Sequence, residues 1–225
     1  EGFGDLLAKG SANAAQIIGR GTEDLVVATK KQEAPAHMPQ VKRSLGLIYA
    51  VNAFGADHQS SEHDPSYEWY PERMAEIGLN DPQPSDNMNE EKVRFALITQ
   101  RLYSALDSIG MCQFVFGPSW HLYGPNQLAE AMQLITGWDV TVDELLEVGE
   151  RRLNLMRLFN AKAGFTRDDD KLPKKFYEAL KGGESDGIKL TVEELERAKD
   201  MYYEMSGWDA ESGNPGAAKL AALGI

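Results

Sequence analysis

The chain has 225 residues, of which 42% are hydrophobic and 26% charged, a composition typical of one large or two small soluble globular domains. Its 23 basic and 35 acidic side chains give a net charge of −12, which disfavours nucleic acid and anionic membrane surfaces as partners. No apolar run approaches the roughly 18 residues of a membrane span. The single cysteine excludes an internal disulfide and predicts a reducing, cytoplasmic location.

Apolar residues recur at helical spacing along most of the chain. The predicted helices cover residues 3–18, 44–54, 66–77, 93–106, 127–136, 142–163, 192–205 and 216–223. T-x-x-E capping boxes at Thr141 and Thr191 open two of them, Asn89 caps another, and Gly110 follows its end. Strand-like alternation is nearly absent. The sequence therefore predicts an all-α fold, an irregular multihelical one without the regularity of a four-helix bundle.

A proline-containing connector follows the first helix. Val26 and Val27 favour a short strand there, and the prolines predict a domain boundary within residues 35–42. We therefore assign residues 1–40 to the end of one unit and its connector, and residues 41–225 to a second unit. Because the chain begins without methionine and inside an apolar pattern, we expect it to be an internal cut of a longer protein.

The stretch GADHQSSEHD, residues 55–64, concentrates acids and histidines. Asp57, His58, Glu62, His63 and Asp64 lie within eight residues, and such side chains bind metals or transfer protons. The two histidines are five residues apart, which is the wrong spacing for one face of a helix. The alternative is a polar loop that caps the next helix.

The stretch DSIGMC contains the only cysteine of the chain. Asp107 ends a helix, where the helix dipole disfavours a carboxylate, so this acid needs an external hydrogen-bond donor. Gly110 permits a positive φ, which lets the backbone of Met111 and Cys112 turn toward a ligand. The alternative is a glycine cap followed by a buried cysteine.

The stretch RRLNLMRLFNAKAGFTRDDDKLP alternates charged and apolar residues. Its charged residues are Arg151, Arg152, Arg157, Arg167 and Asp168–Asp170, and one lysine lies on each side of the run from Arg167 to Asp170. A charge run of this kind is typical of a solvated surface, but the apolar helix leading into it indicates a loop held against the core. No dinucleotide fingerprint, Walker loop, H-E-x-x-H motif or nucleophile elbow occurs in the chain.

Several stretches occur together in a specific order: LAKGSANAAQIIGRGTEDL, GLIYAVNAFGADHQSSEHD, ALDSIGMCQF, LNLMRLFNAKAGFTRDDDKLP, YYEMSGWDAESGNP and LAALGI. This order resembles the C-terminal helical portion of the aldehyde ferredoxin oxidoreductase family. Members of that family are tungsten or molybdenum enzymes with a bis-pterin cofactor and one [4Fe–4S] cluster. The resemblance covers nearly the whole chain, and its most specific parts are RLFNAKAGFTRDDDKLP and the D-x-x-G-x-C motif.

The resemblance implies roles for particular residues. Cys112 matches the fourth cysteine ligand of the cluster, and Asp107 matches the acid that accepts hydrogen bonds from one pterin. Gly110 and Met111 would bring backbone groups to the same pterin. The family also has a histidine near the metal, which corresponds to His58 by position. Glu62 and His63 are weaker candidates for supporting that histidine in catalysis.

The implied enzyme oxidises a small aldehyde to a carboxylate with water and passes electrons to ferredoxin. The other three cluster cysteines are missing from this chain, and one thiolate does not hold a [4Fe–4S] cluster. We therefore expect the isolated chain to lack metal and cofactors, to be inactive, and to need the N-terminal and middle domains as partners. The alternatives are a non-catalytic helical interaction module, or a family member that reduces aromatic acyl thioesters.

Overall fold

Ten α-helices, four short 3-10 helices and one hairpin form the regular structure of residues 2–225, the part of the chain that this computed structural model describes. The helices are α1 (Phe3–Leu7), α2 (Ser11–Ile18), α3 (Arg43–Val51), α4 (Pro65–Trp69), α5 (Pro71–Ala75), α6 (Glu90–Ile109), α7 (Pro125–Thr136), α8 (Val142–Lys162), α9 (Val192–Ser206) and α10 (Ala217–Ala222). The all-α prediction is confirmed. Among residues 2–225, no helix has the length and apolar character needed to cross a membrane.

Two predicted helices are each broken in two. The helix over 3–18 is interrupted at Gly10, whose φ of 79° lies outside the right-handed helical region. The helix over 66–77 is interrupted before Pro71. Proline lacks an N–H and disfavours helical angles in the preceding residue, and Tyr70 accordingly has φ −132° and ψ 51°.

The strand predicted at Val26 and Val27 lies two residues further along the chain. Strands β1 (Ala28–Thr29) and β2 (Gln32–Glu33) pair antiparallel around Lys30 and Lys31. Both lysines have positive φ, 50° and 67°, which is the geometry of a two-residue hairpin turn. Sequence reasoning missed this hairpin because lysine is not a usual residue for such a turn.

The predicted helix caps are confirmed. Thr141 accepts a hydrogen bond from the N–H of Glu144 at 3.2 Å, and the Glu144 carboxylate accepts one from the N–H of Thr141 at 2.8 Å. Thr191 forms the same capping box at the start of α9. Asn89 caps α6 with a 2.9 Å hydrogen bond, and Gly110 ends α6 in the left-handed region, with φ 72°.

Helix α6 forms the centre of the fold. Helix α8 packs along it, and α3 and α9 pack on it as well. Helices α6 and α8 approach each other closely at Gly149, where a Cβ atom would lie only 1.8 Å from the carbonyl oxygen of Arg101. One apolar core joins α3, α6 and α9, and a second joins α6 with α4, α5, α7 and α8.

A buried ion cluster centres on Asp170. Its two oxygens contact Lys30 at 2.7 Å, Arg157 at 2.8 Å through two nitrogens, and the hydroxyl of Tyr203 at 2.6 Å. Asp170 is fully buried, whereas Asp168 two residues earlier is exposed. The charged stretch is therefore held against the core at this acid. The contact also links the hairpin, on the N-terminal side of the predicted boundary, to the rest of the chain.

The loop over residues 52–64 is held at both of its ends. Asp64 accepts hydrogen bonds from the backbone N–H groups of Ser44 at 2.9 Å and Leu45 at 3.2 Å, and its carboxylate pairs with buried Lys92 at 3.3 Å. The acid therefore satisfies the N-terminus of α3, although the sequence alternative had the loop capping the helix after it. At the other end, the amide of Asn52 donates to the Ser60 hydroxyl at 2.9 Å.

Candidate functional site

A cavity of about 210 Å³ lies where the 52–64 loop meets α6 and the loop after Cys112. Its walls include His58, Glu62, His63, Phe114, Trp120 and His121. The three residues predicted as catalytic from the sequence are therefore brought together around one cavity. The volume is below the roughly 300 Å³ at which pockets for drug-sized ligands begin, so the cavity suits a small molecule.

Glu62 is the buried acid of this site, with 2% of its surface exposed. Its Oε2 accepts hydrogen bonds from the hydroxyls of Tyr103 and Ser119, both at 2.7 Å. Its Oε1 accepts one from the hydroxyl of Ser66 at 3.1 Å and one from the N–H of His63 at 2.8 Å. The carboxylate thus joins three separate chain segments. Burial, and then the charge of Glu62, raises the pKa of the Tyr103 hydroxyl.

Both ring nitrogens of His63 are engaged. The ammonium of Lys42 lies 2.9 Å from Nδ1, and because an ammonium only donates, Nδ1 accepts and Nε2 carries the proton. Nε2 then donates to the carbonyl oxygen of His58 at 3.2 Å. Burial, and then the charge of Lys42, lowers the pKa of His63. His63 is therefore a neutral ring that supports the backbone of His58.

The ring of His58 has a free nitrogen. Its Nδ1 is buried, and it has no hydrogen-bond partner among residues 2–225. The ring of His37 lies 4.9 Å from it between centroids, and burial followed by the charge of Lys42 lowers the pKa of His37 to about 4. Within the described part of the chain, no group of three histidine, cysteine or acidic side chains has the geometry to hold a metal. The unpartnered Nδ1 therefore leaves His58 with a hydrogen-bonding capacity that residues 2–225 do not use.

Sequence reasoning missed two residues of the site, Ser119 and His121. They lie in the stretch PSWH, and both are buried, at 1% and 6% exposed. The ring of His121 stacks on exposed Trp120 at 4.7 Å, and Trp120 lies 5.7 Å from exposed Phe114. The sequence signal that could have indicated this part of the site was a histidine, His121, among aromatic residues shortly after Cys112.

The cysteine turn lies on the surface beside this cavity. Cys112 is exposed, so the alternative of a buried cysteine is wrong, although the glycine cap at Gly110 is present. A Cβ added at Gly110 would meet no atom within 4 Å, and Met111 packs against the second core. The turn therefore has open space on its outer side.

Asp107 already has two partners within the chain. Its Oδ2 pairs with Arg152 at 3.2 Å, its Oδ1 accepts a long hydrogen bond from the side-chain amide of Gln113 at 3.5 Å, and 43% of its side chain remains exposed. The predicted need for a donor at this helix end is thus met in part by an arginine of α8. An exposed carboxylate oxygen still leaves room for N–H donors from outside the chain.

The cysteine turn and the histidine loop meet on one part of the molecule. Phe114, two residues after Cys112, forms part of the cavity wall, and Tyr103 lines both the cavity and a crevice that contains Asp107. An exposed thiol fits one corner of an iron–sulfur cluster, which takes four ligands. A cluster bound here would need three further ligands from outside the chain, because the sequence has one cysteine.

Comparison with known proteins extends this picture. A family model described as aldehyde ferredoxin oxidoreductase, domains 2 and 3, matches residues 1–225. The chain is 34% identical over its whole length to the tungsten-containing aldehyde ferredoxin oxidoreductase of Pyrococcus furiosus and covers 34% of that protein. It is 32% identical over 99% of its length to the enzyme of the same description from Thermococcus kodakarensis, and again covers 34% of it.

Two more distant proteins are also similar. The WOR-like subunit of an aliphatic sulfonate oxidoreductase from Pyrococcus furiosus is 27% identical over the full chain, which covers 32% of it. A solved active-site complex of benzoyl coenzyme A reductase with 1,5-dienoyl-CoA is similar in structure, with a TM-score of 0.73 and 20% sequence identity. The match includes 98% of this chain and 36% of the chain in that complex. That likeness concerns the fold alone. The chain spans about a third of the length of the curated relatives it matches.

Proposed function

Because this chain belongs to the aldehyde ferredoxin oxidoreductase family, we propose that it is the C-terminal helical portion of an enzyme that oxidises an aldehyde to a carboxylate with water. The full enzyme would contain a tungsten or molybdenum bis-pterin and a [4Fe–4S] cluster and would reduce ferredoxin. The rest of the protein would contain the N-terminal domain and most of the middle domain, whose end would be residues 1–40 of this chain. The complete enzyme would work in the cytoplasm.

The observation that carries the proposal is the exposed thiol of Cys112 next to a histidine-lined cavity. Cys112 would bind the cluster as a thiolate, and Asp107 would accept hydrogen bonds from a pterin while keeping its contact with Arg152. When bound, the metal pterin would supply two-electron oxidation chemistry, and the cluster would supply one-electron transfer. The isolated chain offers one thiolate and is expected to hold neither group.

The cavity residues divide the remaining work. His58 has the free nitrogen and would hydrogen-bond the substrate oxygen or transfer a proton. His63 fixes the backbone of His58, and Glu62 joins the loop to α6. These two are positioning residues in this proposal, because their polar atoms already have partners inside the protein.

A second candidate is the reduction of an aromatic acyl thioester. The exposed rings of Phe114 and Trp120 beside the cavity favour an aromatic substrate. The third alternative, a non-catalytic interaction module, requires that the longer protein lack the other three cluster cysteines.

The test uses the longer protein, purified without oxygen after expression with tungstate. We expect aldehyde-dependent reduction of a viologen dye and of ferredoxin. The His58→Asn variant should lower kcat/KM by about 10²- to 10⁴-fold, whereas the control Glu130→Gln, an exposed change on α7, should leave it unchanged. Turnover of an aromatic acyl thioester without aldehyde oxidation would favour the second candidate, and no turnover of either would favour the module.

A further inference from the structure

We propose that His121 is a second acid–base residue of this cavity, that the hydroxyl of Ser119 and the carboxylate of Glu62 set its tautomer, and that it acts in the addition of water to the aldehyde. The inference rests on the proposed function for its chemical step. Its structural part, the tautomer of His121, stands on the geometry of this chain alone.

The hydrogen bonds of Ser119 determine where the imidazole proton lies. The hydroxyl has one proton, and its oxygen lies 2.7 Å from Oε2 of Glu62, which as a carboxylate oxygen only accepts. The hydroxyl proton therefore goes to Glu62. Nδ1 of His121 lies 3.2 Å from the same hydroxyl oxygen, so Nδ1 must be the donor in that contact. The neutral ring then has its proton on Nδ1 and an unprotonated Nε2.

The surroundings hold the loop in this arrangement. Arg73 of α5 donates to the carbonyl oxygens of Ser119 at 3.2 Å and of His121 at 2.6 Å. The hydroxyl of Tyr103, a residue of α6, also donates a hydrogen bond to the carboxylate of Glu62 and so holds it in place. A carboxylate that fixes the tautomer of a histidine, directly or through another group, is a recurring way to prepare a base.

His121 is better suited to the role of base than His63. Both nitrogens of His63 have partners inside the chain, whereas the ring of His121 lines the cavity with one nitrogen committed to Ser119. Burial lowers the pKa of His121, against the opposing effect of the Glu62 charge, so the ring is neutral at neutral pH. His58 and His121 then supply two histidines to one cavity from two different loops.

The step assigned to His121 is balanced without any electron transfer. The oxygen of a water molecule bonds to the aldehyde carbon, while Nε2 takes one proton from that water. The carbonyl π pair moves to the carbonyl oxygen, which then takes a proton back, and the product is the geminal diol. The subsequent oxidation of the diol belongs to the activity proposed above.

The first test measures the tautomer in the 225-residue chain by ¹⁵N NMR of the histidine rings. We expect His121 with a protonated Nδ1 and an unprotonated Nε2. In Ser119→Ala and Glu62→Gln the ring should shift toward the Nε2-protonated form, and in the control Ser108→Ala, a helix serine that bonds a carbonyl of its own turn, it should not. A wild-type ring protonated on Nε2 overturns the inference.

The second test uses the longer enzyme and compares two aldehydes. His121→Gln should lower kcat/KM by about 10²- to 10⁴-fold for an aldehyde that is mostly unhydrated in water. For an electron-poor aldehyde that is already hydrated in water, the loss should be at least tenfold smaller. A purely structural role would lower both equally.

The outcomes separate the two proposals. An active wild type with equal losses for both aldehydes, or with no loss in His121→Gln, overturns the step assigned to His121 and leaves the proposed function intact. A wild type that oxidises no aldehyde overturns the proposed function, and the hydration step with it.

Discussion

The ion cluster at Asp170 gives the sharpest prediction about stability. Asp170→Asn keeps the shape of the side chain and removes its charge. Asp170 and its partners Lys30 and Arg157 have side chains no more than 2% exposed. The variant therefore leaves two cations buried without the anion that both of them contact.

The expected cost follows from that burial. Breaking a buried pair by removing one partner costs about 3–5 kcal/mol, out of a total stability of about 5–15 kcal/mol. Burial already lowers the pKa of Lys30, and the charge of Asp170 opposes that effect. Without Asp170, the ammonium of Lys30 loses its proton more readily, which removes part of the free-energy cost of leaving that charge buried. The destabilisation should therefore be larger at pH 7 than at pH 9.

Urea unfolding, followed by circular dichroism and by tryptophan fluorescence, measures this cost. Trp208 is one of the four tryptophans that contribute to this fluorescence, and the centre of its ring lies 5.3 Å from the guanidinium of Arg157. The control Asp168→Asn changes an exposed acid of the same turn and should stay within about 0.5 kcal/mol of the wild type. Equal unfolding midpoints for Asp170→Asn and Asp168→Asn would refute the reasoning.

Two further predictions concern the packing and the acid stability of the chain. Gly149→Ala should destabilise the fold by about 1–3 kcal/mol, because its Cβ would meet the backbone of α6, whereas Gly4→Ala, with open space around it, should not; equal urea midpoints would contradict this. The pKa of His37 is lowered to about 4 beside Lys42, His58 and His63, so the folded state binds fewer protons than the unfolded state. Stability should be full above the ordinary pKa of 6.5 and should fall as the pH drops from 6.5 toward 4. His37→Gln should reduce that fall, and an unchanged slope of stability against pH would show the reasoning to be wrong.

Local features of the fold were predictable from the sequence. The capping boxes at Thr141 and Thr191 depend on residues three positions away, so their patterns already contain both partners. The α6 stop at Gly110 is local in the same way. The helix break before Pro71 was also visible in principle, but the apolar pattern across it was the stronger signal.

The remaining features depend on partners far away in the sequence. Asp170 cannot be distinguished from Asp168 by its neighbours, since its burial depends on Lys30, 140 positions earlier. Ser119 is 57 positions from Glu62, so the link that prepares His121 has no sequence pattern. The exposure of Cys112 was equally undecided, because a glycine cap precedes buried and exposed residues alike.

The central claim is that Cys112 supplies one thiolate to an iron–sulfur cluster of the longer enzyme. Iron analysis and low-temperature EPR of the reduced, tungstate-grown protein test it most directly, with the wild type compared to Cys112→Ser. We predict about four irons per wild-type chain, and for Cys112→Ser a loss of iron or an altered cluster spectrum. Unchanged iron content together with an unchanged spectrum in Cys112→Ser would contradict the claim.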